Sequence, residues 1–341
     1  MFDKISENTE IVAPDELKDI MKKENKKAYI GFEPSGTAHI GWLVCANKIR
    51  QLTEAGFEVI ILLADWHAYI NDKFNGDMNA IRTCGKYMED VFTALNVGNV
   101  KFVYASDIIS DPAYWELVIK TGKHASLSRI RRAMTIMGRK ADESESDTSR
   151  FVYPLMQVAD MFYLGVDVAL GGMDQRKAHM LARDIAEKLN YKKPIAIHTP
   201  LISSLSAKSG RMDPVEAKMS KSKPDSGIFL HDTSDDIKRK LKKAWCPMQE
   251  TEGNPVMEIY RYIIFEMFDE VVIERPEKFG GNLTFYSYDE MEEMFMKDGV
   301  HPTDLKSGLA VYLDKAIKPV RDYFASNPEN YEKVKSFTVT R

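Results

Sequence analysis

Two segments far apart in the chain carry groups suited to phosphate chemistry. The first, His39-Ile40-Gly41-Trp42, lies on a turn bracketed by Gly31, Gly36 and Gly41. Glycine lets backbone approach a phosphate closely, and the N-terminus of a following helix favours anions. An imidazole on such a turn can donate to phosphate oxygens and to the charge that develops on them during transfer. The plainer alternative is a histidine that only caps the helix. The second segment, Lys218-Met219-Ser220-Lys221-Ser222, puts two ammonium groups on a polar loop. A loop lets them move in on a leaving phosphate and withdraw again. Taken alone, it also reads as a solvated lysine–serine loop. One segment directly after the first strand and the other directly after the last point together to a single phosphate site.

A third group is Tyr153, Gln157 and Asp160, spaced i, i+4 and i+7. At about 100° per residue they share a narrow sector of one helix face. That sector is either the wall of a polar pocket or simply a wet face. Pro154 suits a first helical turn, which puts Tyr153 at the helix edge. The strand that follows ends at Gly171-Gly172-Met173-Asp174-Gln175. Open parallel sheets bind ligands at the carboxyl ends of their strands. Asp174 and Gln175 are therefore expected at the same rim as the first glycine turn.

The elements that must position these groups are legible as alternating apolar runs and helical periods. Strands are expected at 28–32, 57–65, 100–104, 166–170 and 195–198, with helices at 14–25, from 39 toward 56, 77–95, 111–140, from 154, and 175–189. Strands alternating with helices imply a parallel, Rossmann-like sheet. Residues 141–149 are acidic and serine-rich and read as a surface loop. Residues 203–227 read as a long loop, and loops of that length are usually functional or disordered. From Ser234 onward the pattern is helical and strand-poor, with a domain boundary near His231.

The bulk numbers fit a soluble two-domain protein: 341 residues, 44% hydrophobic, 29% charged, formal net charge −4. That charge argues against indiscriminate coating of nucleic acid, but not against a local basic patch. Cys45, Cys84 and Cys246 are scattered and odd in number, so neither a disulfide framework nor a zinc pair is suggested. No signal-like or membrane-spanning stretch is evident, and a cytoplasmic location is the default expectation.

Five stretches occur in an order that resembles one family. They are Tyr29-Ile30-Gly31-Phe32-Glu33-Pro34-Ser35-Gly36, Leu62-Leu63-Ala64-Asp65-Trp66-His67-Ala68, Tyr153-Pro154-Leu155-Met156-Gln157-Val158-Ala159-Asp160, Gly171-Gly172-Met173-Asp174-Gln175-Arg176-Lys177 and Lys218-Met219-Ser220-Lys221-Ser222. The chain closely resembles the tyrosyl-tRNA synthetases of archaeal and eukaryotic type, a class I aminoacyl-tRNA synthetase family. The resemblance covers nearly the whole length. It is strongest over 28–70 and 153–183 and weakest over 141–150, 203–216 and the tail. One departure concerns the first signature, whose common form ends in histidine where this chain has Trp42; phosphate work is therefore assigned to His39 and none to Trp42.

The resemblance implies an α/β catalytic domain over 1–231, with a helical insertion at about 105–150 that makes a homodimer and touches the tRNA acceptor end. An all-helical anticodon-binding domain over 232–341 would follow. It implies that Tyr29 and Asp160 bind the phenol hydroxyl of L-tyrosine, and that Tyr153, Gln157 and Gln175 bind its ammonium group. Gly172 and Asp174 would meet the ATP ribose. Gly31, Gly36, His39, Gly41, Lys218 and Lys221 would handle the phosphates, with magnesium arriving on ATP and no protein cage for a metal. Arg132 and Arg176 match acceptor-end contacts of tRNA(Tyr), beside a cluster with Arg129 and Arg131 that suits phosphates. Phe279, His301 and Asp304 match anticodon contacts: a ring can stack on a splayed base, and a carboxylate can accept from a guanine edge. The plain alternatives are solvated arginines, a core phenylalanine and a helix-capping aspartate. The run Lys238-Arg239-Lys240-Leu241-Lys242-Lys243 reads as one basic helix face. Rival readings are a tryptophanyl-tRNA synthetase, a nucleotidyltransferase acting on a small molecule, and a non-catalytic RNA-binding relative.

Overall fold

Short apolar runs build one six-stranded sheet: β1 (Glu10–Val12), β2 (Lys27–Phe32), β3 (Glu58–Leu63), β4 (Val100–Tyr104), β5 (Val168–Gly172) and β6 (Ile195–Thr199). The structure, a computed structural model, describes residues 1–138, 147–206 and 224–338. Strand order is β1-β6-β5-β2-β3-β4. Every pairing is parallel except β1 with β6. β3 is buried along all its length after Glu58, as expected of a central strand covered on both faces. The order reverses at β2, which has β3 on one side and β5 on the other. In open parallel sheets, ligands bind outside the carboxyl ends of the strands at such a switch point, here between β2 and β5.

Strand β1 is not foreshadowed in the sequence pattern, because three residues carry no measurable period. Its pairing sets Glu10 opposite His198. The Met78–Ala94 helix starts where the Asp77 carboxylate accepts from the backbone of Asn79 and Ala80. The helix expected over 111–140 is broken. Pro112–His124 ends at an extended Ala125, and Ser126 caps a new helix, Leu127–Ala133, followed by a 3-10 turn at Met134–Met137.

One expectation is corrected here. The helix carrying Tyr153 spans Ser149–Tyr163, so Pro154 lies inside it rather than in its first turn. An interior proline forfeits a backbone hydrogen bond. In the extra turn ahead of it, Arg150 is buried and ion-paired with Asp72 and Asp147.

The chain divides into two compact units, one of Met1–Gly36, Lys48–Pro200 and Glu332–Arg341, the other of Thr37–Asn47 and Leu201–Tyr331. The sheet belongs to the first. The second is largely helical, with Ser234–Lys243 packed on the long helix Pro302–Ser326. It also holds a small antiparallel pair, β7 (Val271–Ile273) with β8 (Leu283–Phe285). The Ser234–Lys243 helix does not present one uniform basic face. Lys240 turns inward, pairs with Asp232 at 2.6 Å and lies over the Phe229 ring.

Candidate active site

The site in the first unit grows from the end of β2. Tyr29 is buried, and its hydroxyl lies along the strand over Gly31. A Cβ at residue 31 would come within 2.8 Å of that oxygen, so the phenol and the glycine define each other's place. Tyr153, Gln157 and Asp160 do share one face of their helix, and that face is dry, with exposures of 5, 8 and 1%. The wet-face alternative is thereby excluded.

Asp160 is the electrostatic centre. Its Oδ1 accepts from the Tyr114 hydroxyl at 2.7 Å. Its Oδ2 lies 3.2 Å from His67 Nε2, yet the pair is misaligned for a hydrogen bond. Oδ2 is thus a buried acceptor with no hydrogen-bond partner among the described residues. Burial alone would lower the His67 pKa, but the Asp160 carboxylate, with Glu33 and Asp65, reverses this and holds it above the usual histidine value. Burial, and then the Asp160 charge, keeps the phenols of Tyr29 and Tyr114 protonated.

A second cluster adjoins it. The Tyr153 hydroxyl donates to Glu33 Oε1, and the Tyr153 ring stands edge-on to His67 at 4.9 Å. Glu33 also accepts from Asn71 Nδ2 at 2.9 Å and has Lys73 Nζ at 3.8 Å. Gln157 Nε2 donates to Gln175 Oε1 at 3.1 Å, and Gln175 Nε2 donates to the Ile136 carbonyl at 3.2 Å. Gln157 Oε1 is buried without a hydrogen-bond partner among the described residues. This wall offers an oxygen acceptor, a phenol and a carboxylate, a set suited to an ammonium group beside the acceptor that would meet a hydroxyl.

The remaining expected residues are distributed as follows. Gly172 ends β5, and Asp174 sits in the 3-10 turn after it. The Gly36 backbone N–H donates to the buried Cys84 Sγ at 3.3 Å, and Gly36 has φ of 115°. His39 and Gly41 belong to the second unit, where His39 bridges to Phe229 and Ile40 N donates to the Ile228 carbonyl. His39 Nδ1 accepts from Gly41 N–H at 3.1 Å, and a Cβ at Gly41 would meet the imidazole at 2.7 Å. That bond fixes the ring and makes Nδ1 the acceptor nitrogen. Trp42 is buried. Lys218 and Lys221 lie outside the described residues.

Of the residues expected to meet RNA, Arg132 is exposed and Arg176 is ion-paired with Glu10 at 2.9 Å. Arg129 pairs with Asp184. In the second unit Phe279 is 60% exposed, which removes the core alternative. The cap of the Pro302–Ser326 helix is His301, whose Nδ1 accepts from Thr303 N–H at 3.1 Å; Asp304 is in the first turn but does not cap.

Sequence reasoning missed His67, Tyr114, Glu33 and Asn71 as members of this site. His67 and Glu33 stand inside stretches that were noticed, and a buried carboxylate at 160 demands donors. Tyr114 and Asn71 gave no local signal, because their roles exist only once the helices meet. No group of three or more His, Cys, Asp or Glu placed to hold a metal ion occurs among the described residues.

With this geometry in place, three comparisons bear on it. A family model described as "tRNA synthetases class I (W and Y)" matches residues 21–318. Two curated relatives named "Tyrosine--tRNA ligase" are similar over nearly the whole length. The one from Aeropyrum pernix is 50% identical over 340 residues, 96% of this chain and 93% of its own. The one from Picrophilus torridus is 52% identical over 325 residues, 94% and 98%. A crystal structure of the Pyrococcus horikoshii tyrosyl-tRNA synthetase complexed with L-tyrosine superposes with a TM-score of 0.91 at 38% identity, over 98% of each chain.

Proposed function

The chain belongs to the class I tRNA synthetases of the W and Y group, and from that premise we propose that it is a tyrosine–tRNA ligase. Two steps are required. An oxygen of the tyrosine carboxylate attacks the α-phosphorus of ATP, the bond to the bridging oxygen of the β-phosphate breaks, and pyrophosphate leaves. A ribose hydroxyl at the 3′ end of tRNA(Tyr) then attacks the carbonyl carbon of tyrosyl-adenylate, losing its proton as AMP departs.

The observation that carries the choice of amino acid is the buried Oδ2 of Asp160, which has His67 Nε2 at 3.2 Å but no hydrogen-bond partner among the described residues, beside the Tyr29 phenol. A phenol hydroxyl supplies the missing donor. Phenylalanine would leave a buried carboxylate oxygen unpaired, which is costly. In this reading Tyr153, Gln157 and Gln175 take the ammonium group, and Gly172 and Asp174 take the ribose. Gly31, Gly36, His39 and Gly41 attend the phosphates; Lys218 and Lys221 attend the departing pyrophosphate. No side chain becomes covalently attached. The rate comes from positioning and charge stabilisation. Magnesium enters with ATP.

The catalytic domain would run over 1–231 and the anticodon reader over 232–341. Arg132 and Arg176 would face the acceptor end, and Phe279, His301 and Asp304 the anticodon. A homodimer through the insertion at about 105–150 is supported by an apolar surface there. Trp115 and Ile119, one helical turn apart, are 41 and 71% exposed, and Leu127 on the next helix is 56% exposed. Its free cysteines suit a cytoplasmic setting. The test is charging of tRNA(Tyr) with labelled L-tyrosine. ATP-dependent charging supports the reading, and its absence with intact, folded protein refutes it.

A further inference from the structure

The two oxygens of Asp160 are treated differently, and the difference originates outside the pocket lining. Oδ1 is tied to Tyr114, a fully buried residue of the Pro112–His124 helix. The Tyr114 hydroxyl also lies 3.2 Å from the Met156 carbonyl. It has one proton, and the nearer, charged acceptor takes it. Oδ2 is left without a hydrogen-bond partner among the described residues. The terminal torsion of an aspartate is broad, so an untethered carboxylate turns readily. A bond on Oδ1 restrains that rotation and aims Oδ2, with the misaligned His67 Nε2, 3.2 Å from Oδ2, as the other contact on the carboxylate.

Tyr114 is itself well held. Its ring stands edge-on to Trp115 and Tyr163 at 5.9 and 5.8 Å. The Tyr163 hydroxyl donates to Asp111 Oδ2 at 2.8 Å, and the other Asp111 oxygen caps the helix that carries Tyr114. The junction of two helices therefore sets the direction of one carboxylate oxygen.

We propose that Tyr114 is a positioning residue for substrate recognition: it holds Asp160 so that Oδ2 accepts the hydroxyl of the amino-acid substrate. Tyr114 touches no substrate and acts only through Asp160. The inference rests on Asp160 being the phenol partner in the proposed function.

The test compares pyrophosphate–ATP exchange with tyrosine and with phenylalanine. In Tyr114→Phe the ring packing stays and one hydroxyl goes. The tyrosine KM should rise about tenfold, the size of a lost bond to a charged group. The KM for ATP and the phenylalanine kcat/KM should hold, so the tyrosine-to-phenylalanine ratio falls by the same factor. In an Asp160→Asn background, Tyr114→Phe should change that ratio no further, because the two act as one unit. An unchanged tyrosine KM, equal losses for both amino acids, or additive effects of the two substitutions would overturn the proposal. Should Tyr114→Phe fail to fold, Tyr163→Phe loosens the same junction and should lower the ratio to a smaller extent; no change in the ratio would again overturn it. If Asp160→Asn alone left the ratio intact, the underlying reading of Asp160 would fail instead.

Discussion

At the scale of single residues, Gly31 shows how one position serves a neighbour rather than its own backbone. Its φ is not in the left-handed region, so conformational freedom does not require glycine there. Space does: a methyl group would sit 2.8 Å from the Tyr29 hydroxyl. Gly31→Ala should displace the phenol and raise the tyrosine KM by up to roughly tenfold, the size of one lost hydrogen bond, with a smaller effect on the KM for ATP. Equal KM values for variant and wild type would show that the Tyr29 hydroxyl is not where tyrosine binds. The sequence made half of this site legible. Tyr153, Gln157 and Asp160 were readable because helix geometry alone puts them on one face. Tyr114 and Asn71 were not, since each acts across a junction of elements that no local spacing encodes. Glu33 and His67 lay in plain view without a role, because a carboxylate or imidazole shows its partner only in three dimensions.

At the scale of elements, β6 and the Arg176–Leu189 helix are joined by two buried histidines. His179 Nδ1 and His198 Nε2 are 3.1 Å apart, and His198 Nδ1 meets Glu10 on β1 at 2.9 Å. Burial, and then the neighbouring His198, pulls the His179 pKa down from 6.5 to about 3. Burial likewise lowers His198, against the pull of Glu10, with Arg176 and Asp174 as the other charges that face it. A lowered histidine pKa means that the unfolded chain binds more protons between about 6.5 and 3. Stability must then fall as the pH drops through that window, by up to about 1.4 kcal/mol per unit for one such group. His179→Gln should flatten the decline of Tm between roughly pH 6.5 and 4 relative to wild type. Parallel Tm profiles would show that His179 is not the group responsible. The same elements mark the limits of sequence reading. β2, β3 and β4 announced themselves as apolar runs bounded by turns. β1 and the β7–β8 pair, at three residues each, are too short to carry a period. The extra turn ahead of Pro154 carries Arg150, whose partner Asp72 is distant in sequence, so no local spacing announces the pair.

At the scale of the whole molecule, the fold class follows from the alternation of strands and helices, and the switch point at β2 follows from strand order, which the sequence does not display. Trp115, Ile119 and Leu127 leave an exposed apolar surface on the insertion, the one the proposed homodimer would cover. If the proposed homodimer forms through it, Ile119→Glu should shift the protein from dimer toward monomer in sedimentation; a variant that stays dimeric would place the seam elsewhere, and a wild type that sediments as a monomer would remove it. The central claim is that one buried carboxylate oxygen, Asp160 Oδ2, selects tyrosine for activation. Pyrophosphate–ATP exchange with each standard amino acid in turn tests it most directly. Exchange with tyrosine, and little or none with phenylalanine or tryptophan, is the result expected. Exchange with tryptophan in preference would contradict the role given to Asp160 and Tyr29, and no exchange with any amino acid would contradict the enzyme itself.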